Sequence, residues 1–444
     1  MGKRRGKTVQ GGAKALVFSG GGAKGVFELG AWRAFRDVGL EFDAVAGASV
    51  GSLNAALYAQ DRFDLAEEIW STLSIEKIVN LPSHFVKDGK MDLREVNLDN
   101  ITFFNKALFQ KGGLDSSPLY GLLNRYLDEK AIRGRGIDLG IVTVEVKGFK
   151  GRELFLDQME EGLLADYLLA SASFPAFEDA VFNGRRFTDG GLVNNIPHSM
   201  MKERGYRDIT VVDVSGLGMN RRPEVEGTRT TYIKNSLTMG GVLDFSPDFL
   251  KSYGELGYWD TLQTLGQLEG TSYFIKPGKP CPSLEKGLGD SGVRAKIRAL
   301  FPVTEDLPSF PGIIRSLLPR EYAQQKNLSE VLLECAALSL QIPRDRLYSW
   351  PALAGKVDEA RKSIDAGDPL PLEDHLKKLK GTLEEKFGKF LPEESSGISS
   401  YEYALRAGLI NPDKPAPGLL KAYVSVHPPL AGAVLYGLLR DYFS

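Results

Sequence analysis

The sequence is poor in the residues that carry much of metalloenzyme, redox and secreted-protein chemistry. Only two cysteines occur in 444 residues, Cys281 and Cys335. They form no CxxC pair, so neither a disulfide framework nor a thiolate zinc site is expected, and a reducing compartment is. The formal net charge is −2, which leaves no global field for nucleic acid. No apolar run is long enough to span a bilayer; the longest, Pro428 to Leu439, is too short. The basic N-terminus (Lys3, Arg4, Arg5, Lys7) is not followed by the apolar stretch of a secretory signal. Gly2 lacks the Ser or Thr at position 6 that myristoylation requires. A cytoplasmic protein is therefore expected, with peripheral attachment to a membrane surface as the alternative. The 43% hydrophobic and 25% charged composition is that of a globular chain, and its length is more than one core usually holds.

What is present is an alternation of short apolar runs and helical patterns. Residues 14–19 read as a buried strand, 25–39 as a helix ended by Gly39, 42–49 as a strand and 50–60 as a helix. That order predicts an α/β fold, three layers with a mainly parallel central sheet. Residues 137–146 and 152–157 read as paired strands, 161–174 as a helix, 180–191 as a hairpin with an Asn-Gly turn, and 208–215 as a further buried strand. Ser117-Pro118 reads as a helix start, with the serine as its cap. The segment 271–277 is expected to supply the last strand. After about 305 only helical periodicity remains, in 327–340, 372–391 and 417–426. The expected domains are 14–300, catalytic, and 305–444, a smaller helical domain with an unidentified protein partner.

Gly47-Ala48-Ser49-Val50-Gly51 reads G-x-S-x-G between a buried strand and a helix, which is the setting of a nucleophile elbow. The sharp turn strains the serine, and Gly47 and Gly51 let backbone and helix approach. The run Gly20, Gly21, Gly22, Ala23, Lys24, Gly25 follows the first strand and can turn successive N–H groups toward one point, as an oxyanion hole does. The same run fits a dinucleotide fingerprint. That reading wants an acid at the end of the second strand, but Glu41 and Asp43 lie at its start. Asp189-Gly190-Gly191 closes the hairpin, and alone it reads as a tight turn.

In this order the three motifs resemble the patatin-like phospholipase family: GGGAKG at 20–25, GASVG at 47–51 and DGG at 189–191, with ASASFPAFEDAVFNGRRFTDGGLVNNIP at 170–197 around the last. The resemblance covers residues 14 to 280. It implies an α/β/α fold and hydrolysis of lipid acyl esters, with phospholipids or other acyl lipids as substrate. It also implies Ser49 as nucleophile, Asp189 as base in a Ser–Asp dyad, and the Gly20–Gly25 loop as oxyanion hole. Nothing in that mechanism calls for a metal or a cofactor. A carboxylate of ordinary pKa near 4 is a poor base at neutral pH, so the dyad must lean on close geometry and desolvation. A thioesterase or acyltransferase with the same dyad is the first alternative, a dinucleotide-dependent oxidoreductase the second, and a non-catalytic binding protein the third.

Four histidines, His84, His198, His375 and His427, could restore a triad. The chain order Ser, acid, His points at the last three. None is expected to act. His198, at a helix start, is expected to face solvent. The apolar stretch 101–109 reads as a buried cap segment, with membrane docking as the alternative. The basic N-terminus reads as a frayed tail, the alternative being attraction to anionic lipid of about 1 kcal/mol per charge.

Overall fold

The computed structural model describes residues 9, 11–81, 86–87, 90–91, 113–174, 176–216, 225–278, 287, 289–301, 317–322, 327–364, 399–407, 409–413 and 415–442. The basic N-terminus, the 101–109 segment, His84, Cys281, His375 and the 372–391 pattern lie outside them. The chain divides into two compact units, 1–266 and 267–444.

The first unit is a mixed sheet, mostly parallel in its central strands. Its strands are β1 (Lys14–Phe18), β2 (Ala44–Ala48), β5 (Asp138–Glu145), β6 (Lys150–Phe155), β7 (Ala180–Phe182), β8 (Arg185–Asp189), β9 (Asp208–Asp213) and β10 (Arg229–Lys234), in the order β10-β9-β1-β2-β5-β8-β7 with β6 on β5. A separate two-stranded ladder joins β3 (Val86–Lys87) to β4 (Lys90–Met91). The helices are α1 (Val26–Asp37), α2 (Val50–Gln60), α3 (Phe63–Thr72), α4 (Ser117–Tyr126), α5 (Glu129–Arg135), α6 (Leu164–Ser171), α7 (His198–Arg204) and α8 (Pro247–Thr264). β1 and β2 are apolar on both faces because both faces are covered. Ala15, Val17, Ala44 and Ala46 share one core with Met200 and Met201 of α7. Leu16, Phe18 and Val45 are equally buried and face the other way.

The β7–β8 hairpin turns on Asn183 and Gly184, both at positive φ (49° and 67°), as an Asn-Gly turn requires. α4 begins one residue before Pro118, and its cap residue is Ser116 rather than Ser117. The Ser117 N–H is taken instead by Asp115 Oδ1 at 2.8 Å.

Pairing on β5 positions the site. Thr143 of β5 opposes Arg152 of β6 on one edge and Asp189 of β8 on the other. Val142 opposes Glu153 of β6 and Ala48 of β2. A strand has two edges, so β2 and β8 occupy the same one, end to end. The last residue of β8 thus lies at the level just beyond the last residue of β2.

The second unit is mainly helical: α9 (Ser291–Leu300), α10 (Leu328–Ser339), α11 (Trp350–Ser363), α12 (Ser400–Arg406), α13 (Pro417–Val426) and α14 (Pro429–Tyr442). The segment expected to supply the last strand of the first sheet forms β11 (Phe274–Ile275), which pairs in parallel with β12 (Leu347–Tyr348) of this unit instead. Tyr273, Ile275, Val293 and Ile297 belong to the same core as α10 and α14, so β11 and α9 pack with the helices that follow them. Among the described residues no helix is long and apolar enough to cross a membrane.

Candidate active site

Ser49 sits between β2 and α2 at φ 52° and ψ −132°. This conformation is sparsely populated for a residue with a Cβ and costs of order 1–3 kcal/mol. The turn is enforced by close packing. A Cβ on Gly47 would lie 2.1 Å from the Gly51 carbonyl oxygen, and one on Gly51 would lie 2.5 Å from that of Ser19. The Ser49 N–H donates to Ser171 Oγ at 3.0 Å, which ties the elbow to the end of α6.

The Ser49 hydroxyl donates to Asp189 Oδ2 at 2.7 Å. The other carboxylate oxygen, Oδ1, accepts the Gly191 N–H at 2.7 Å. Asp189 is 5% exposed. Burial pushes its carboxyl up to about 6, against the opposing hydrogen bonds from Ser49 and Gly191. This differs from the ordinary carboxylate expected from sequence. Gly190 lies against β5, where a Cβ would meet the Val142 carbonyl oxygen at 2.1 Å.

The glycine loop lies beside Ser49, but its residues are not equivalent. Gly21 and Gly22 line the cavity that also holds Ser49 and Asp189; Gly20, Ala23, Lys24 and Gly25 do not. The N–H groups of Gly20, Ala23 and Lys24 already donate to the carbonyls of Asn195, Val242 and Gly21. Asn195 braces the loop a second time, its Nδ2 donating to the Gly20 carbonyl at 3.1 Å. Beneath the loop, Asn54 Nδ2 donates to both the Gly25 carbonyl and Glu28, while Trp70 donates to Asn54 Oδ1. Burial holds the Glu28 carboxyl well above its ordinary range. It lowers the Lys24 ammonium, against the attraction of Asp213.

The cavity is about 340 Å³ and chiefly apolar. Leucines of α2 and α4 supply much of its wall, and Val242, Leu243 and Phe245 add a side from the loop before α8. Sequence reasoning missed Ser171, Asn195 and this loop. Ser171 and Asn195 stood in the 170–197 text as bystanders. The 242–245 loop carries no local pattern that could have signalled it.

His198 does not face solvent. It is 1% exposed, and its Nε2 lies 3.1 Å from Thr230 Oγ1 on β10. The expectation failed because α7 packs its first turn onto the sheet. Thr230 opposes Ile209, Ile209 opposes Ala15, and Ala15 opposes Ala44, the first residue of β2. The ring therefore lies at the opposite end of the strands from Ser49, three strands away. Burial pushes its imidazole below the ordinary value, with Lys202 adding to the effect. His427 lies in the second unit, its ring 4.6 Å from that of Tyr423. Among the described residues no group of three His, Cys, Asp or Glu side chains could hold a metal ion.

Residues 16–202 match the family model for patatin-like phospholipase. The chain is 29% identical over 214 residues to patatin-like phospholipase domain-containing protein ZK370.4 of Caenorhabditis elegans, an alignment covering 48% of this chain and 14% of that one. It is 26% identical over 216 residues to lysophospholipase NTE1 of Cryptococcus neoformans, covering 46% of this chain and 11% of that one. The chain thus spans a small fraction of the length of these relatives. Against the crystal structure of VipD from Legionella pneumophila the TM-score is 0.36 at 14% identity, over 96% of this chain and 90% of that one. The matched segment holds all three motifs, and residues 16–202 form a domain that matches the patatin-like phospholipase family.

Proposed function

We propose that the first unit is a lipid acyl hydrolase of phospholipase A or lysophospholipase type, with Ser49 as nucleophile and Asp189 as base. The observation that carries this reading is the 2.7 Å hydrogen bond from a strained serine to a buried carboxylate at the wall of an apolar cavity. Ser49 Oγ attacks the ester carbonyl as Asp189 Oδ2 takes its proton. The negative charge that forms on the carbonyl oxygen is met by N–H groups of the glycine loop. Of these, Gly21 and Gly22 are the donors that border the cavity, and their N–H groups find no acceptor among the described residues. Protonated Asp189 returns its proton to the leaving alcohol. Water, deprotonated in turn by Asp189, then releases the acid and restores the serine. Each step conserves the single proton that the dyad holds.

Desolvation makes this carboxylate a better base than one in water. A group titrating near 6 is ionised at neutral pH and still close enough to the working pH to accept a proton effectively. Gly191 N–H keeps Oδ1 occupied and leaves Oδ2 turned to the serine. No histidine is required.

The test is a substrate panel on wild type and Ser49→Ala: phospholipids, lysophospholipids and acyl-CoA thioesters. The reading expects ester cleavage with release of fatty acid, lost in Ser49→Ala. Cleavage of thioesters alone would favour the thioesterase alternative. Wild-type activity that survives in Ser49→Ala would refute the nucleophile.

A further inference from the structure

We infer that α2 and α4 form a ruler for the acyl chain, with Leu53 and Leu57 as its successive marks. The inference rests on the acyl-hydrolase reading of Ser49 and adds where the chain lies and what limits its length.

α2 starts at the nucleophile and buries Ala55 and Ala59 completely. Its large apolar residues Leu53 and Leu57 remain only half-buried, and both line the cavity that contains Ser49. They fall one and two turns beyond the serine, so the wall advances along the helix from the reacting atom. α4 supplies the facing stripe, with Leu119, Leu123 and Tyr126 at helical spacing on the cavity. One turn past Leu57, Gln60 ties the ends of the two helices together. Its Nε2 donates to the Tyr126 carbonyl at 3.2 Å, and its Oε1 accepts the Asp128 N–H. The cavity lining reaches Tyr126 and Leu127 but not Gln60 or Asp128, so this tie closes the far end of the wall as a latch.

The lengths follow from covalent geometry. At 1.5 Å of rise per residue, Leu53 lies about 6 Å and Leu57 about 12 Å along the helix from Ser49. An extended alkyl chain advances about 1.25 Å per carbon, from its bond length and tetrahedral angle. Leu53 therefore sits beside about the fifth carbon and Leu57 beside about the tenth. An acyl group of about ten carbons covers the wall as far as Leu57, a palmitoyl group outruns the latch one turn beyond, and these leucines offer nothing polar that would reward a shorter chain.

The experiment measures kcat/KM for acetyl, hexanoyl, decanoyl and palmitoyl p-nitrophenyl esters. Each protein is referred to its own acetyl value, and folding is checked by the thermal transition. Wild type should rise from acetyl to decanoyl and gain nothing further at palmitoyl. Leu57→Trp should lower the decanoyl ratio by about tenfold or more and spare the hexanoyl ratio; Leu53→Trp should lower both. Leu57→Ala, which adds no bulk and so is the safer variant to fold, should raise palmitoyl relative to decanoyl. A wild-type profile that is flat, or the same profile in all the Leu53 and Leu57 variants, overturns the ruler while Ser49-dependent acetyl ester cleavage still stands. Acetyl ester cleavage that persists in Ser49→Ala overturns the nucleophile instead, and no ester cleavage by wild type overturns both.

Discussion

Asp189 in the first unit and Glu334 in the second are both buried carboxylates, and the two are put to different uses. Asp189 is 5% exposed and its carboxyl is pushed up to about 6; Glu334 is 2% exposed and its carboxyl is pushed up to about 7. Burial is the main cause of both displacements. By pKa alone the two are equally good candidates for chemistry. Their surroundings separate them. The Glu334 oxygens accept three backbone N–H groups, those of Thr271, Ser272 and Tyr273, at 2.9–3.1 Å. They hold the turn leading into β11, and Glu334 is not among the residues lining the site cavity. Asp189 has one backbone donor, and its second oxygen meets a strained hydroxyl at a cavity wall. A buried carboxylate surrounded by backbone N–H groups is a fastener; one aimed at a side-chain hydroxyl beside a void can move a proton.

The comparison can be broken most forcefully at Asp189. Asp189→Asn keeps the shape but cannot take the serine proton, so ester turnover should fall by about 10³-fold or more, leaving a residue from the oxyanion donors. Replacing all four histidines with glutamine should leave most of the rate. The pH dependence of wild type sharpens the assignment. With the base titrating at about 6, kcat/KM should rise through that pH and stay level above it. An ordinary carboxylate near 4 would put the rise lower, so a titration near 6 does not by itself indicate histidine. It is the Asp189 variant, not the pH profile, that separates the two bases.

Glu334 should show the opposite pattern. Glu334→Ala leaves three buried N–H groups unsatisfied and should cost about 3 kcal/mol or more in urea unfolding. Glu334→Gln, which retains one acceptor oxygen, should cost less. Turnover per folded molecule should stay at the wild-type level in both. A large loss of turnover in folded Glu334→Gln would remove the distinction drawn between the two acids.

Stability gives a further test at the site itself. The folded-state pKa of Asp189 is raised, so the folded protein binds the proton more tightly than the unfolded chain. Its contribution to stability is favourable at low pH and is lost as pH rises from about 4 through about 6. At pH 8 the ionised carboxylate costs up to about 3 kcal/mol. Asp189→Asn should therefore melt higher than wild type at pH 8, by a margin that shrinks toward pH 4. The smallest expected effect is at the elbow. Ser49→Gly should abolish turnover and raise stability by about 1 kcal/mol, since glycine adopts φ 52° without strain. Ser49→Ala keeps the Cβ and should melt near wild type.

Local chemistry was legible in the sequence because local chemistry makes it. A strand, a G-x-S-x-G turn and a helix are contiguous, and so are the Asn-Gly hairpin and the aspartate that ends it. The meeting of β2 and β8 on one edge of β5 was not legible, because it depends on pairings between residues far apart in the chain. Ser171 and Asn195 were missed for the same reason: their partners, the Ser49 N–H and the Gly20 carbonyl, lie more than a hundred residues away. The glycine run reads as one loop that gathers N–H groups, and what the sequence does not display is which of them are engaged: those of Gly20, Ala23 and Lys24 meet carbonyls, while Gly21 and Gly22 line the cavity. The segment 271–277 reads as the last strand of the first sheet, but a short apolar run is equally suited to either unit, and it pairs in the second. His198 was misread because a residue at a helix start can point either to solvent or to the sheet beneath, and only packing decides.

The central claim is that Ser49 is a nucleophile activated by Asp189, and covalent labelling tests it most directly. Wild type, Asp189→Asn and the four-histidine variant would be treated with a fluorophosphonate, digested and mapped by mass spectrometry. The account predicts one adduct, on Ser49, formed at a similar rate in wild type and the histidine variant and much more slowly in Asp189→Asn. An adduct on another serine, or labelling of Ser49 that is undiminished in Asp189→Asn and lost in the histidine variant, would contradict it.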